Sequence, residues 1–140
     1  MKIYLSSSEP AEKSYKWASN IVLFNDMVEV SEATSVVCDH FLSLFSYDEI
    51  PEVLSMIVSK MRLKSELTII QPDVSILSQK FSREEIDERT LNNILFKSGS
   101  IKNVCSAETI QSLIPSSLQV TEKRFDIATS NIIIKTRRVE

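Results

Sequence analysis

The sequence carries a single glycine, Gly99, in 140 residues, where average usage would supply about ten. Loops that cradle phosphates or dinucleotides need glycine so that backbone N–H groups can approach the ligand closely. Neither GxGxxG nor GxxxxGK[ST] is present. Nucleotide binding of those two kinds is therefore excluded by residue supply alone.

The remaining composition is ordinary. With 43% apolar and 25% charged residues, residues 1–140 suit one soluble domain that buries roughly two thirds of its unfolded surface. A net charge of −3 gives no general attraction to nucleic acid or to an anionic membrane. Lys135, Arg137 and Arg138 make a small basic tip, which reads as a solvated end. No apolar run approaches the ~18 residues of a membrane span, and the Met1–Leu5 stretch is too short for a signal peptide. Cys38 and Cys105 lie far apart without metal-ligand spacing. They read as buried thiols in a reducing, cytoplasmic compartment, with a disulfide as the alternative. His40 is the only histidine, so a multi-histidine metal centre is excluded and no metal is expected.

Apolar patterning supplies the elements. Ile3-Tyr4-Leu5 is a short strand. Residues 11–19 read as helical, with Ala11, Tyr15 and Ala18 on one face. Ile21-Val22-Leu23-Phe24 is rich in strand formers, although periodicity alone does not separate a strand there from the end of a longer helix. Val28 and Val30 alternate with Glu29 as a weak strand. Ser35-Val36-Val37-Cys38 reads as a buried strand ending at Asp39-His40. Over 51–62, Val53, Leu54, Ile57, Val58 and Met61 form the stripe of one helix face, and Pro51 belongs in the first turn, where its missing N–H costs nothing. Leu67-Thr68-Ile69-Ile70 is the next buried strand, ended by Gln71-Pro72-Asp73. Ser82-Arg83-Glu84-Glu85 has the form of a capping box, which predicts a helix to about Phe96, broken by Ser98-Gly99-Ser100. A short helix over 107–114 and two strands over 118–124 and 129–136 follow. Strands alternating with helices predict a mainly parallel three-layer α/β sheet. The last two strands are too close for a crossover and must form a C-terminal antiparallel pair.

The order of segments resembles the short class I, Rossmann-like, S-adenosylmethionine-dependent methyltransferases. Those chains open with a strand and Gly-Cys-Gly; here Lys2-Ile3-Tyr4-Leu5-Ser6-Ser7-Ser8 stands in that place. His40-Phe41-Leu42-Ser43-Leu44-Phe45-Ser46 is similar to the family's His-Val-Leu-Glu-His-Phe-Ser stretch. Met61-Arg62-Leu63-Lys64-Ser65-Glu66, then Leu67 to Asp73, looks like Arg-Val-Leu-Lys-Pro-Gly-Gly before a strand and Pro-Asp. Glu85-Ile86-Asp87 and Leu91-Asn92-Asn93-Ile94-Leu95-Phe96 resemble a further motif pair of that family. The resemblance runs from about residue 35 to the end and is weak before it.

The departures fall on the cofactor side. Serines replace the glycine turn, and a Cβ resists positive φ and blocks close backbone approach. In the family an acid at the end of the second strand holds the ribose; the matching run ends Leu23-Phe24-Asn25, with Asp26 one step late. The family's Glu-His pair has become Ser43-Leu44. The stretch from Asp26 to Ser35 is too short for a full strand–helix–strand, so an element is expected to be missing and the N-terminal third compressed.

Among the candidates, His40 at the carboxyl end of a strand sits where ligands bind in open α/β sheets and is the candidate general base. Neighbours in a strand point to opposite faces, so Asp39 is not expected to orient it; a structural histidine is the competing reading. Ser6, Ser7, Ser8 and Asp39 would line the cofactor if binding were retained, and otherwise the serines are a polar turn. Asp73 reads as a loop-capping aspartate, Glu85 and Asp87 as a solvated helix face. Trp17, Tyr15 and Phe24 belong to the core, or to a partner surface left uncovered by the missing element. The resemblance and its departures imply a methyltransferase-like module without cofactor, acting by association with a protein partner or with itself, as a dimer or hetero-complex. The alternatives are an active S-adenosylmethionine-dependent methyltransferase, perhaps one completed by a partner subunit, and a structural part of a larger assembly.

Overall fold

The computed structural model describes residues 1–96 and 101–140, so the Ser98-Gly99-Ser100 break lies outside the described residues. The central strands are those with the densest β-branched runs. β3 (Ala33–Asp39) and β4 (Met61–Pro72) pair in parallel, Val36 opposite Leu67 and Cys38 opposite Ile69. On the other side of β3 lies β1 (Lys2–Leu5), also parallel, followed by β2 (Lys16–Ala18) at the edge. Beyond β4 come β6 (Asn131–Arg138) and β5 (Leu118–Asp126), both antiparallel to their neighbours. The six-stranded order is β2-β1-β3-β4-β6-β5. This is the α/β class expected, mainly parallel with a C-terminal antiparallel pair.

Register partners share a face, because side chains alternate with period two. Ile3, Leu5, Val36, Cys38, Leu67, Ile69, Ile132 and Ile134 thus form one face, and all are buried without measurable exposure. They cluster with Phe24 of α1 (Ile21–Met27), with Ile50, Leu54 and Ile57 of α2 (Ile50–Lys60), and with Ala107 and Ile110 of α5 (Ala107–Leu113). The opposite face is covered far less. Lys2, Trp17, Glu66 and Arg137 are exposed there, Tyr4, Ser35, Thr68, Ile70 and Lys135 are half-buried, and Val37 and Ile133 are buried.

α2, α5, β3 and the β5–β6 pair fall where the sequence puts them, and Pro51 sits in the first turn of α2. The N-terminal third departs. Residues 11–19 are not helical: 16–18 are strand β2, held by pairing with β1, Tyr4 opposite Trp17. Cross-strand pairing outweighs so short a helical stripe. The expected strand at 21–24 is helix α1, because the Asn20 side chain accepts the Leu23 N–H and starts a helix. The expected strand at 28–30 does not form; Val28 closes α1 and Val30 is exposed. β4 extends well before Leu67, starting directly after α2 through an irregular stretch with Lys64 at φ 69°.

The expected helix from Ser82 is also corrected. Ser82 ends an unforeseen helix, α3 (Val74–Ser82), and Glu84 at φ 59° turns the chain away. Ser82-Arg83-Glu84-Glu85 is thus a helix end, not a capping box. The next helix, α4 (Glu88–Phe96), starts at Asp87, whose carboxylate accepts the Thr90 N–H at 2.7 Å. The basic tip is only partly solvated. Arg138 Nη1 donates to the carbonyls of Val58, at 2.9 Å, and Met61, closing the C-terminus of α2. Lys135 pairs with Glu122 at 3.6 Å. Both cysteines are buried free thiols.

Candidate functional site at the carboxyl edge

The parallel strands β1, β3 and β4 deliver three chain segments to one edge: Ser6-Ser7-Ser8, Asp39-His40 and Asp73. His40 carries the decisive geometry. Its φ of 57° is left-handed, a conformation that costs a non-glycine residue about 1–2 kcal/mol, and its N–H donates to Ile70 O at 2.7 Å. Strand alternation therefore ends at Asp39, and the imidazole folds back onto its neighbour. Nδ1 lies 2.5 Å from Asp39 Oδ1. The expectation that Asp39 does not orient His40 is overturned, because it assumed an extended backbone at His40.

The second Asp39 oxygen, Oδ2, accepts the Tyr4 hydroxyl at 2.6 Å. Tyr4 and Asp39 point the same way because Tyr4 registers with Val37 on the adjacent strand. The hydrogen bond from His40, followed by that from Tyr4, holds the Asp39 carboxyl below its ordinary range against the opposing effect of burial. Burial and the adjacent Asp39 push the Tyr4 phenol upward. The contact with Asp39 through Nδ1 holds the His40 ring in one orientation. Tyr4 was not singled out from the sequence; its role depends on register.

Above this chain lies an open cleft of about 700 Å³ lined by Ser7, Ser8, His40, Leu44, Asn93, Ile94 and Ile101. Ser6 is not among its walls. It is buried, its Oγ donates to Ser8 O at 2.6 Å, its carbonyl accepts Trp17 Nε1–H at 3.0 Å, and its N–H donates to Ala18 O at 3.4 Å. None of the three serines has positive φ. Trp17, read as core or partner surface, is partly exposed and bonds this loop; Tyr15 stacks edge-on to Tyr4 at 5.7 Å. Phe24 is in the core.

β2 ends at Ala18, followed by Ser19 and by Asn20, which caps α1. The second strand is thus not the Ile21–Phe24 run, and Asp26 lies exposed on α1. No carboxylate follows β2 directly.

Asp73 is fully buried and bonds the starts of two helices. Oδ1 accepts the Ile76 N–H at 3.0 Å and Oδ2 the Ala107 N–H at 3.1 Å. Glu85 and Asp87 are exposed, but in the segment between α3 and α4 and not on the helix face expected of them, because the helix starts only at Glu88. Ser43 Oγ and both amide atoms of Gln71 are buried without a hydrogen-bond partner among the described residues. Among the described residues no group of three or more His, Cys, Asp or Glu is placed to hold a metal ion, and no helix is long and apolar enough to cross a membrane.

No protein-family model and no curated protein matches the sequence. Solved structures do. A S-adenosylmethionine-dependent methyltransferase from Methanosarcina mazei superposes with a TM-score of 0.57 at 10% identity, covering 89% of this chain and 66% of its own. One from Archaeoglobus fulgidus gives 0.55 at 14% identity, with 91% and 70% covered. The N-methyltransferase NodS from Bradyrhizobium japonicum, solved with S-adenosyl-L-homocysteine, gives 0.54 at 13%, with 90% and 55% covered. The fold is that of the class I methyltransferases. At such identities the likeness concerns fold alone, and the chain spans about half to seven tenths of the length of these three structures.

Proposed function

We propose that the chain is a methyltransferase-like module that has given up S-adenosylmethionine and acts by association with a protein partner or a second copy of itself. The observation that carries this reading is the closure of the loop after β1. Ser6 commits its N–H, carbonyl and hydroxyl to Ala18, Trp17 and Ser8, so the first residue of that loop has no backbone group left for a ligand. The residues after β2 supply no acid for a ribose.

A charge-assisted hydrogen bond is worth about 1.5–3 kcal/mol. Loss of the ribose contact and of the backbone approach weakens a micromolar site at least ~100-fold. Support for association comes from the sheet itself. Parallel sheets are normally covered on both faces, and here Trp17, Tyr4 and Ile70 lie exposed or half-buried on one of them. Isothermal calorimetry with S-adenosylmethionine tests the cofactor half of the reading. Micromolar binding to the unmodified chain would put an active methyltransferase in its place. Sedimentation tests the other half, with self-association or a stable hetero-complex expected.

A further inference from the structure

Both edges of the sheet are guarded against strand addition. At one, β2 has only three residues. At the other, the register of β5 shifts between Val120 and Glu122, and Glu122, Lys123 and Arg124 follow in succession. A bulge and charges on an edge strand oppose pairing with another chain. Association therefore falls to the sheet face opposite the core.

By register, Trp17, Tyr4, Val37, Ile70 and Ile133 make an aromatic and aliphatic centre on that face. Cations flank it. Lys135 pairs with Glu122, whereas Lys2, Arg124 and Arg137 make no ion pair among the described residues. Against these three stands one unpaired acid, Glu66. The chain as a whole has a net charge of −3, so the positive surplus is local. Two like-charged faces repel, and this one is complementary to an acidic surface with apolar side chains of its own.

The chain carries such a surface. Where the backbone turns at Glu84, an open groove of about 640 Å³ is lined by Phe81, Ser82, Glu84, Ile86, Asp87 and Glu88. Phe81 is 45% exposed. Three carboxylates and no cation line the groove, and among the described residues none of the three makes an ion pair.

We propose that two copies of the chain exchange these surfaces, the acidic groove at the α3–α4 connection of each lying on the open sheet face of the other. Glu84 and Glu88 meet Arg124 and Arg137, and Phe81 packs on the apolar centre. Strand spacings of ~4.8 Å and ~3.3 Å per residue make the face roughly 24 by 13 Å. One such contact falls short of a standard interface, which buries about 800 Å² per partner. The exchange engages both surfaces of each copy, doubles the area and closes the assembly as a two-fold dimer. The inference rests on the association half of the reading above and is independent of the cofactor half.

Trp17 is the only tryptophan and lies on this face, so its emission reports what covers it. Sedimentation and tryptophan emission of the intact chain are followed together over rising concentration. The expected result is a dimer whose formation shifts Trp17 emission to the blue and which weakens with added salt. Arg124→Glu with Arg137→Glu, and Glu84→Lys with Glu88→Lys, change exposed positions and are checked for an unaltered fold by circular dichroism. Each double variant alone sets like charges against each other and should dimerise at least about tenfold more weakly. An equimolar mixture of the two has opposite charges at both contacts and should regain the affinity of the unmodified chain. A strictly monomeric unmodified chain, a dimer with unmoved Trp17 emission, or a mixture no tighter than its components would each overturn the exchange. None of these results bears on the calorimetric test of the cofactor, so the two failures are distinguishable.

Discussion

Asp73→Ala removes the N-terminal cap of α3 and the acceptor of the first N–H of α5, whose own cap, Ser106 on Thr109 N–H, stays in place. In the folded chain Oδ1 satisfies Ile76 N–H at the start of α3 and Oδ2 satisfies Ala107 N–H at the start of α5, with Asp73 itself fully buried. Loss of a single cap costs about 1 kcal/mol, with a range of about 0.5–2. Both contacts here are to a carboxylate away from water, where about 1.5–3 kcal/mol each applies. Alanine also leaves the Ala107 N–H buried with no partner. We expect Asp73→Ala to lose about 3–5 kcal/mol, a large share of the total stability of a domain this size. Asp73→Asn keeps one carbonyl acceptor and should lose about half as much. Urea unfolding followed by circular dichroism reads both, with the denaturant slope unchanged if only stability is affected. A loss below about 1 kcal/mol in Asp73→Ala would show that the two contacts do not hold this edge together, and the reasoning would fail.

Two further outcomes follow from the same edge. Gln71→Met should raise the urea midpoint by the equivalent of about 1 kcal/mol, since it replaces a buried amide lacking partners by an apolar side chain of similar volume; a loss of stability would mean that the amide is satisfied in solution. Asp39, held below its ordinary value of 3.8 by His40 and Tyr4, has a lower pKa folded than unfolded. Its contribution is complete above the unfolded value and disappears as pH falls through the folded one. Asp39→Asn should therefore be less stable than the unmodified chain at pH 6, with the gap closing below about pH 4; a constant gap across that range would contradict the Tyr4–Asp39–His40 chain.

What the sequence discloses and what it hides divide along physical lines. α2 is readable because Val53, Leu54, Ile57 and Val58 repeat over several turns, and β3 because Val36-Val37-Cys38 is a compact run bounded by polar residues. β2 is hidden because Lys16-Trp17-Ala18 has no strand pattern of its own; its pairing with β1 makes it a strand. α1 was obscured by the β-branched Ile21 and Val22, although Asn20 carried the cap signal. α3 is hidden because an aspartate after a proline at a strand end has the form of a loop cap, whereas Asp73 caps a helix. At the site, the position of His40 at a strand end was legible. Its orientation by Asp39 was not, since a left-handed backbone at a histidine leaves no mark in the sequence, and Tyr4 enters only once the register of β1 on β3 is known.

Calorimetric titration of the unmodified chain with S-adenosylmethionine reaches the central claim most directly. The closed Ser6–Trp17 loop and the absence of an acid after β2 predict no binding tighter than about 100 μM, the ~100-fold loss applied to a micromolar site. A saturable heat with a micromolar dissociation constant would contradict the account and return the chain to the working methyltransferases.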